Sequence, residues 1–160
     1  MSDLVLLDFD GVINALTRKP MRSAYNEWES TQLLGFPILY AREVIDAVNA
    51  VGSKPHVTVR WLTTWEAATA ELTALGLDNF DYIPPLPDFT GDLRIGDWKP
   101  AAGLTVAESW PGTVIWIDDD TWIEQEVTRA SRPNITFLRP TPSLGLSKKQ
   151  LRLLDEFTTP

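Results

Sequence analysis

The chain has no cysteine, and that absence removes disulfides, thiolate zinc sites and cysteine nucleophiles together. A single histidine, His56, excludes a multi-histidine metal centre. No apolar run approaches the roughly 20 residues needed to cross a bilayer as a helix. The opening Met1-Ser2-Asp3 carries neither a basic region nor a cleavage pattern. The reading is of a chain with no membrane span and no signal peptide, expected in the cytoplasm. Positive charge is scarce as well: 14 Lys and Arg face 22 Asp and Glu, for a formal charge of −8. That balance argues against a protein wrapped broadly in nucleic acid. Internal repeats and low-complexity tracts are missing too. Any metal or acid–base chemistry must rest on carboxylates, hydroxyls and lysine.

What is present is the composition of an ordinary globular domain, 44% hydrophobic and 22% charged over 160 residues. Hydrophobic periodicity predicts an alternating β/α order. Strands are expected at 4–8, 56–62, 113–117 and 135–138, with a short extended piece at 80–83. Helices are expected at 41–51 with Gly52 as a stop, 65–75 ended by Gly76, 99–109 with Pro100 in the first turn, 123–130, and 147–157 capped by Ser147. Residues 12–38 read as irregular, and Pro84 to Pro87 as a loop. The alternation implies one three-layer α/β/α Rossmann-like domain over 1–160, a parallel sheet with helices on both faces.

The most informative stretch is Leu4-Val5-Leu6-Leu7-Asp8-Phe9-Asp10-Gly11-Val12. An apolar run this short, bounded by a turn signal, reads as a strand buried on both faces. Gly11 suggests that the chain turns there, exposing Asp8 and Asp10 at the strand's C-terminal end. Ligands bind at that edge in open parallel sheets. Two crowded acids repel unless a cation or a shared proton holds them; a capping or turn pair is the plainer alternative. Other polar residues also fall at strand ends: Thr63 and Thr64 after the second long strand, Asp118, Asp119 and Asp120 after the third. Lys99 opens the helix before that third strand. In a parallel sheet these ends share one edge, so acid, hydroxyl and lysine converge on one cleft. Asp120 reads equally as a helix cap. Arg18, Lys19 and Arg22 read as a solvated loop face or as a patch for one phosphate. Among the seven tryptophans, Trp65, Trp98 and Trp122 adjoin these motifs, as cleft walls or as core, whereas Trp61 and Trp116 lie inside strands.

The order of these motifs resembles the haloacid dehalogenase-like (HAD) hydrolase superfamily. Its first motif, Asp-x-Asp-Gly after an aliphatic strand, is similar to Leu6-Leu7-Asp8-Phe9-Asp10-Gly11-Val12. Its second, a hydrophobic strand ending in Thr, is similar to Val59-Arg60-Trp61-Leu62-Thr63. The helix-start lysine is matched by Lys99-Pro100, and the paired acids after a strand by Ile115-Trp116-Ile117-Asp118-Asp119. The likeness covers roughly residues 4–140. A looser likeness, through Trp61-Leu62-Thr63-Thr64-Trp65, is to small HAD domains of RNA-repair proteins.

The resemblance implies a Mg²⁺-dependent phosphohydrolase. Asp8 would be the nucleophile that forms an aspartyl-phosphate, and Asp10 the general acid and base. Asp8, the backbone carbonyl of Asp10, and Asp118 would surround Mg²⁺, with Asp119 outside them orienting Lys99 or a metal-bound water. Thr63, or Thr64 if the strand ends later, and Lys99 would bind the phosphoryl group; Trp65, from its place beside the second motif, is the candidate to stack on a ring-bearing substrate. The alternative is a catalytically silent module that binds metal and phosphate. Little sequence is left for a cap, so a small flap within 13–38 is expected. The implied substrate is a phosphorylated small molecule or a nucleic-acid end, and the oligomeric state stays open.

Overall fold

A computed structural model describes residues 2–86 and 97–160. Part of the loop read at 84–87, and with it part of the interval before Lys99, lies outside the described residues. A five-stranded sheet with order β5-β4-β1-β6-β7 is parallel throughout. Its strands are β1 (Asp3–Leu7), β4 (Val57–Trp61), β5 (Asp81–Tyr82), β6 (Val114–Ile117) and β7 (Ile135–Leu138). The helices are α1 (Arg42–Gly52), α2 (Lys99–Ser109), α3 (Thr121–Ala130) and α4 (Lys148–Phe157), with a 3-10 helix over Glu66–Leu75.

Alternation along β1 builds the layers. Val5 and Leu7 enter one core cluster, joined by Val44, Ile45, Val48 and Val51 of α1 and by Leu154 of α4. Leu4 and Leu6 enter the other, joined by Ala102 and Ala107 of α2 and by Ile123 and Val127 of α3. Both faces of the strand are buried from Leu4 to Leu7, so each of these positions is apolar rather than every second one. This is the three-layer α/β/α arrangement that the alternation implied. Trp61 and Trp116 are wholly inside the core, and Trp98 packs in the second cluster. No helix among the described residues is long and apolar enough to cross a membrane.

Three local expectations differ from the structure. The segment read as irregular contains an antiparallel hairpin, β2 (Trp28–Leu33) and β3 (Phe36–Ala41). Its alternation was hidden because β2, Trp-Glu-Ser-Thr-Gln-Leu, buries no residue fully. The turn is Leu34-Gly35, with φ of 51° and 84°, the left-handed pair that matches strand twist in two-residue hairpins. Secondly, residues 66–75 wind as a 3-10 helix rather than an α-helix. Thirdly, the helix read as 41–51 with Gly52 as its stop runs over Arg42–Gly52 and takes in the glycine as its last residue. A Cβ there would lie 2.6 Å from the Phe80 ring, so close approach demands the glycine. Gly76, at φ 90°, does cap the 3-10 helix in the left-handed conformation.

Register sets the functional edge. Leu7 pairs with Trp61 on one side and Ile117 on the other. The next residues, Asp8, Leu62 and Asp118, therefore leave the sheet at one level. Backbone bonds continue the alignment, with Asp8 N donating to Ile117 O at 3.0 Å and Leu62 N to Leu7 O at 2.8 Å. Chain order reverses between β1 and β6, the crevice where ligands bind in such sheets.

Candidate active site

Asp8 and Asp118 stand on either side of that crevice. Lys99, the first residue of α2, reaches between them, its Nζ 2.8 Å from Asp8 Oδ2 and 2.7 Å from Asp118 Oδ2. All three side chains are buried. An ammonium near a helix N-terminus opposes the helix dipole, and the two carboxylates supply the compensating charge. Burial alone pulls the Lys99 ammonium down, but the charges of Asp8 and Asp118 outweigh it and hold the group above its ordinary range. Burial, then the Asp8 charge, pushes Asp118 well above the usual carboxylate range against the pull of Lys99. Asp119 is raised to about 6 by the same two causes in the same order.

Asp8, Asp118 and Asp119 each place a carboxylate oxygen within 4.8 Å of the others. Three hard oxygen donors this close suit Mg²⁺, which takes oxygen ligands and keeps several waters. The Asp8 charge, which adds to burial in raising Asp118 and Asp119, is what a divalent cation relieves. Asp119 is thus itself within ligand distance of the cluster, although the sequence reading set it outside. Gly11 explains how Asp119 comes so close. A Cβ on Gly11 would lie 2.3 Å from the Asp119 carboxylate carbon, and its φ of 72° suits glycine.

The Asp10 carboxylate is not part of the Asp8, Asp118 and Asp119 cluster. Its Oδ1 accepts from Asn14 Nδ2 at 2.7 Å and its Oδ2 from Trp65 Nε1 at 2.8 Å. Asn14 Oδ1 in turn accepts from Leu39 N at 2.9 Å, tying this loop to the hairpin. Sequence reasoning passed over Asn14; its place four residues after Asp10, within the same turn, was the available signal. A cavity of about 240 Å³ opens here, lined by Asp8, Asp10, Thr64, Lys99, Asp118 and Asp119 among others. Thr64 is exposed on its wall. Thr63 is 2% exposed, and its Oγ1 is buried without a hydrogen-bond partner. Asp120 caps α3, accepting from Trp122 N at 2.7 Å.

Other features of the sequence lie elsewhere. Arg18 and Arg22 line a separate groove of about 450 Å³ beside Trp28. A hollow near Arg60 and Phe80 is larger than the acid-lined cavity, at about 360 Å³, but holds no carboxylate cluster. His56 Nε2 lies 2.8 Å from Thr158 O, far along the chain from these acids.

A parallel sheet whose switch-point crevice gathers Asp8, Lys99, Asp118 and Asp119 beneath the Asp10 turn defines a HAD-like domain. The chain matches, over residues 4–151, the family described as the HAD domain in Swiss Army Knife RNA repair proteins, and it belongs to that family. No curated protein and no solved structure matches it.

Proposed function

We propose that the protein is a Mg²⁺-dependent phosphohydrolase that works through an aspartyl-phosphate on Asp8. The observation that carries this reading is the convergence of three carboxylates within 4.8 Å, two of them bridged by buried Lys99, at the sheet's switch point. A carboxylate oxygen of Asp8 attacks phosphorus as the ester P–O bond breaks, and Asp10 gives a proton to the departing oxygen. Water then attacks the same phosphorus, Asp10 takes its proton, and the bond to Asp8 breaks to release phosphate. Asp10 ends as it began, so ester and water become alcohol and phosphate. Asp8, Asp118, Asp119 and the Asp10 carbonyl are the groups that would hold Mg²⁺, which supplies charge neutralisation at the phosphoryl oxygens. Lys99 contributes a fixed positive charge. Thr64 on the cavity wall and the spare hydroxyl of Thr63 are donors for the phosphoryl oxygens.

The substrate class we propose is a phosphate monoester presented at an open cleft, a nucleic-acid end or a smaller phosphorylated molecule. The hairpin of β2 and β3 is the proposed flap, in place of a large cap. The test is hydrolysis of a generic aryl phosphate. It should require Mg²⁺ and vanish in Asp8→Asn with the fold intact by circular dichroism. Wild-type protein that turns over no phosphate ester with Mg²⁺, across nucleotides, sugar phosphates and oligonucleotide ends, would instead support a silent binding module.

A further inference from the structure

Among the described residues, the two oxygens of Asp10 accept from neutral donors, Asn14 Nδ2 and Trp65 Nε1. Asn14, four residues on, belongs to the same turn, so its contact follows from local geometry. Trp65 does not: it lies 55 residues away in sequence, just beyond β4, and its indole N–H reaches Asp10 Oδ2 at 2.8 Å. Two aromatic rings pack against the indole. Phe9 meets it edge-on with centroids 5.2 Å apart, and Phe36 of the hairpin does so at 5.9 Å. The next residue, Glu66, sits at φ 47°, a left-handed conformation that is strained for a non-glycine residue. Such strain persists only where the surroundings over-determine the backbone.

We propose that Trp65 is a positioning residue for Asp10, a role that rests on reading Asp10 as the proton-transfer group. Each carboxylate oxygen offers two lone-pair sites. Asn14 fills one on Oδ1 and Trp65 one on Oδ2, so the carboxyl group cannot rotate without breaking two hydrogen bonds. One site remains on each oxygen for the travelling proton. Both of these donors are uncharged side chains. Charge is divided accordingly, with Lys99 serving Asp8 and Asp118 while Trp65 and Asn14 serve Asp10. Phe36, 62% exposed at the start of β3, links the hairpin to this indole. Trp65 thus acts on the chemistry through Asp10.

Leaving groups separate positioning from mere support. A nitrophenolate departs without a proton, whereas an alkoxide needs one from Asp10. Trp65→Phe should lower kcat/KM, which reports the steps through ester cleavage and not the later hydrolysis of phospho-Asp8 common to both esters, about 10- to 100-fold on an alkyl phosphate and a few-fold at most on nitrophenyl phosphate. Equal losses on the two esters would overturn the proposal. A second measurement needs no turnover: the Trp65 indole N–H resonance, assigned by its absence from Trp65→Phe, should move upfield in Asp10→Ala. An unmoved resonance would overturn the proposal even if the enzyme is active. Wild-type protein inert on both esters would overturn the hydrolase reading and the positioning role with it, while the resonance still decides whether the contact exists.

Discussion

Replacing Lys99 by methionine removes a positive charge that bridges two buried carboxylates and keeps most of the side-chain volume. Lys99 is 4% exposed and lies within 2.8 Å of both Asp8 and Asp118. Deleting one member of a buried ion pair costs about 3–5 kcal/mol, because the remaining charge is stranded. For a domain of this size each kcal/mol moves Tm by about 2–4 °C, so Tm should fall by about 6–20 °C near pH 8 with a chelator present. The stranded carboxylates can escape by taking up a proton, and Asp118 is already raised in the wild type. A carboxyl whose folded pKa lies above its unfolded value contributes most below the unfolded value, and that contribution is lost as pH rises. The deficit of the variant should therefore shrink toward about pH 5.5, by roughly 1.4 kcal/mol per pH unit for one group. Mg²⁺ at about a hundred times its Kd should return about 2.7 kcal/mol, and should help the variant at least as much as the wild type. Thermal unfolding followed by circular dichroism, at both pH values with chelator or Mg²⁺, reads all of this. A variant that melts with the wild type near pH 8, or shows one deficit at both pH values, would refute the reasoning.

Gly11→Ala should abolish hydrolysis while leaving the far-ultraviolet spectrum unchanged, since its Cβ would lie 2.3 Å from the Asp119 carboxylate carbon; steady-state kinetics beside circular dichroism checks both halves. Without metal, Asp119 is raised from 3.8 to about 6 by burial and then by the Asp8 charge. Its stabilising share is full below about 3.8 and lost as pH rises through 6. Asp119→Asn should therefore gain about 1 kcal/mol on the wild type between about pH 4 and 7 after discounting for solvent screening, read by urea unfolding in chelator. Leu34→Asn should raise Tm by about 2–4 °C. Asparagine tolerates the φ of 51° that leucine strains to adopt, and the leucine is 57% exposed, so little packing is lost.

The site was more legible than the hairpin, for a physical reason. Asp8, Thr63, Lys99 and Asp118 fall where apolar strands end or a helix begins, and parallel register forces such ends to one level. Leu7 pairing with both Trp61 and Ile117 is that rule realised. Short strands buried on both faces also announce themselves, as Val114–Ile117 does. The hairpin gave no comparable signal, because β2 is polar and half-exposed and its turn carries leucine where asparagine is the usual marker. The clamp on Asp10 was invisible for a different reason. Nothing in Trp65 as a letter tells a ring that stacks on a ligand from one whose N–H meets a carboxylate 55 residues away. The closeness of Asp119 to Gly11 was likewise unreadable, since glycine announces a turn but not what lies above it.

Phosphorylation of Asp8 is the central claim, and the direct measurement is peptide mass mapping after rapid acid quench during Mg²⁺-dependent turnover of a phosphate ester. The account predicts phosphate on the peptide containing Asp8, more of it in Asp10→Asn, where water attack lacks its base, and none in Asp8→Asn. Turnover that leaves Asp8 unmodified in both wild type and Asp10→Asn, or that survives Asp8→Asn, would contradict it.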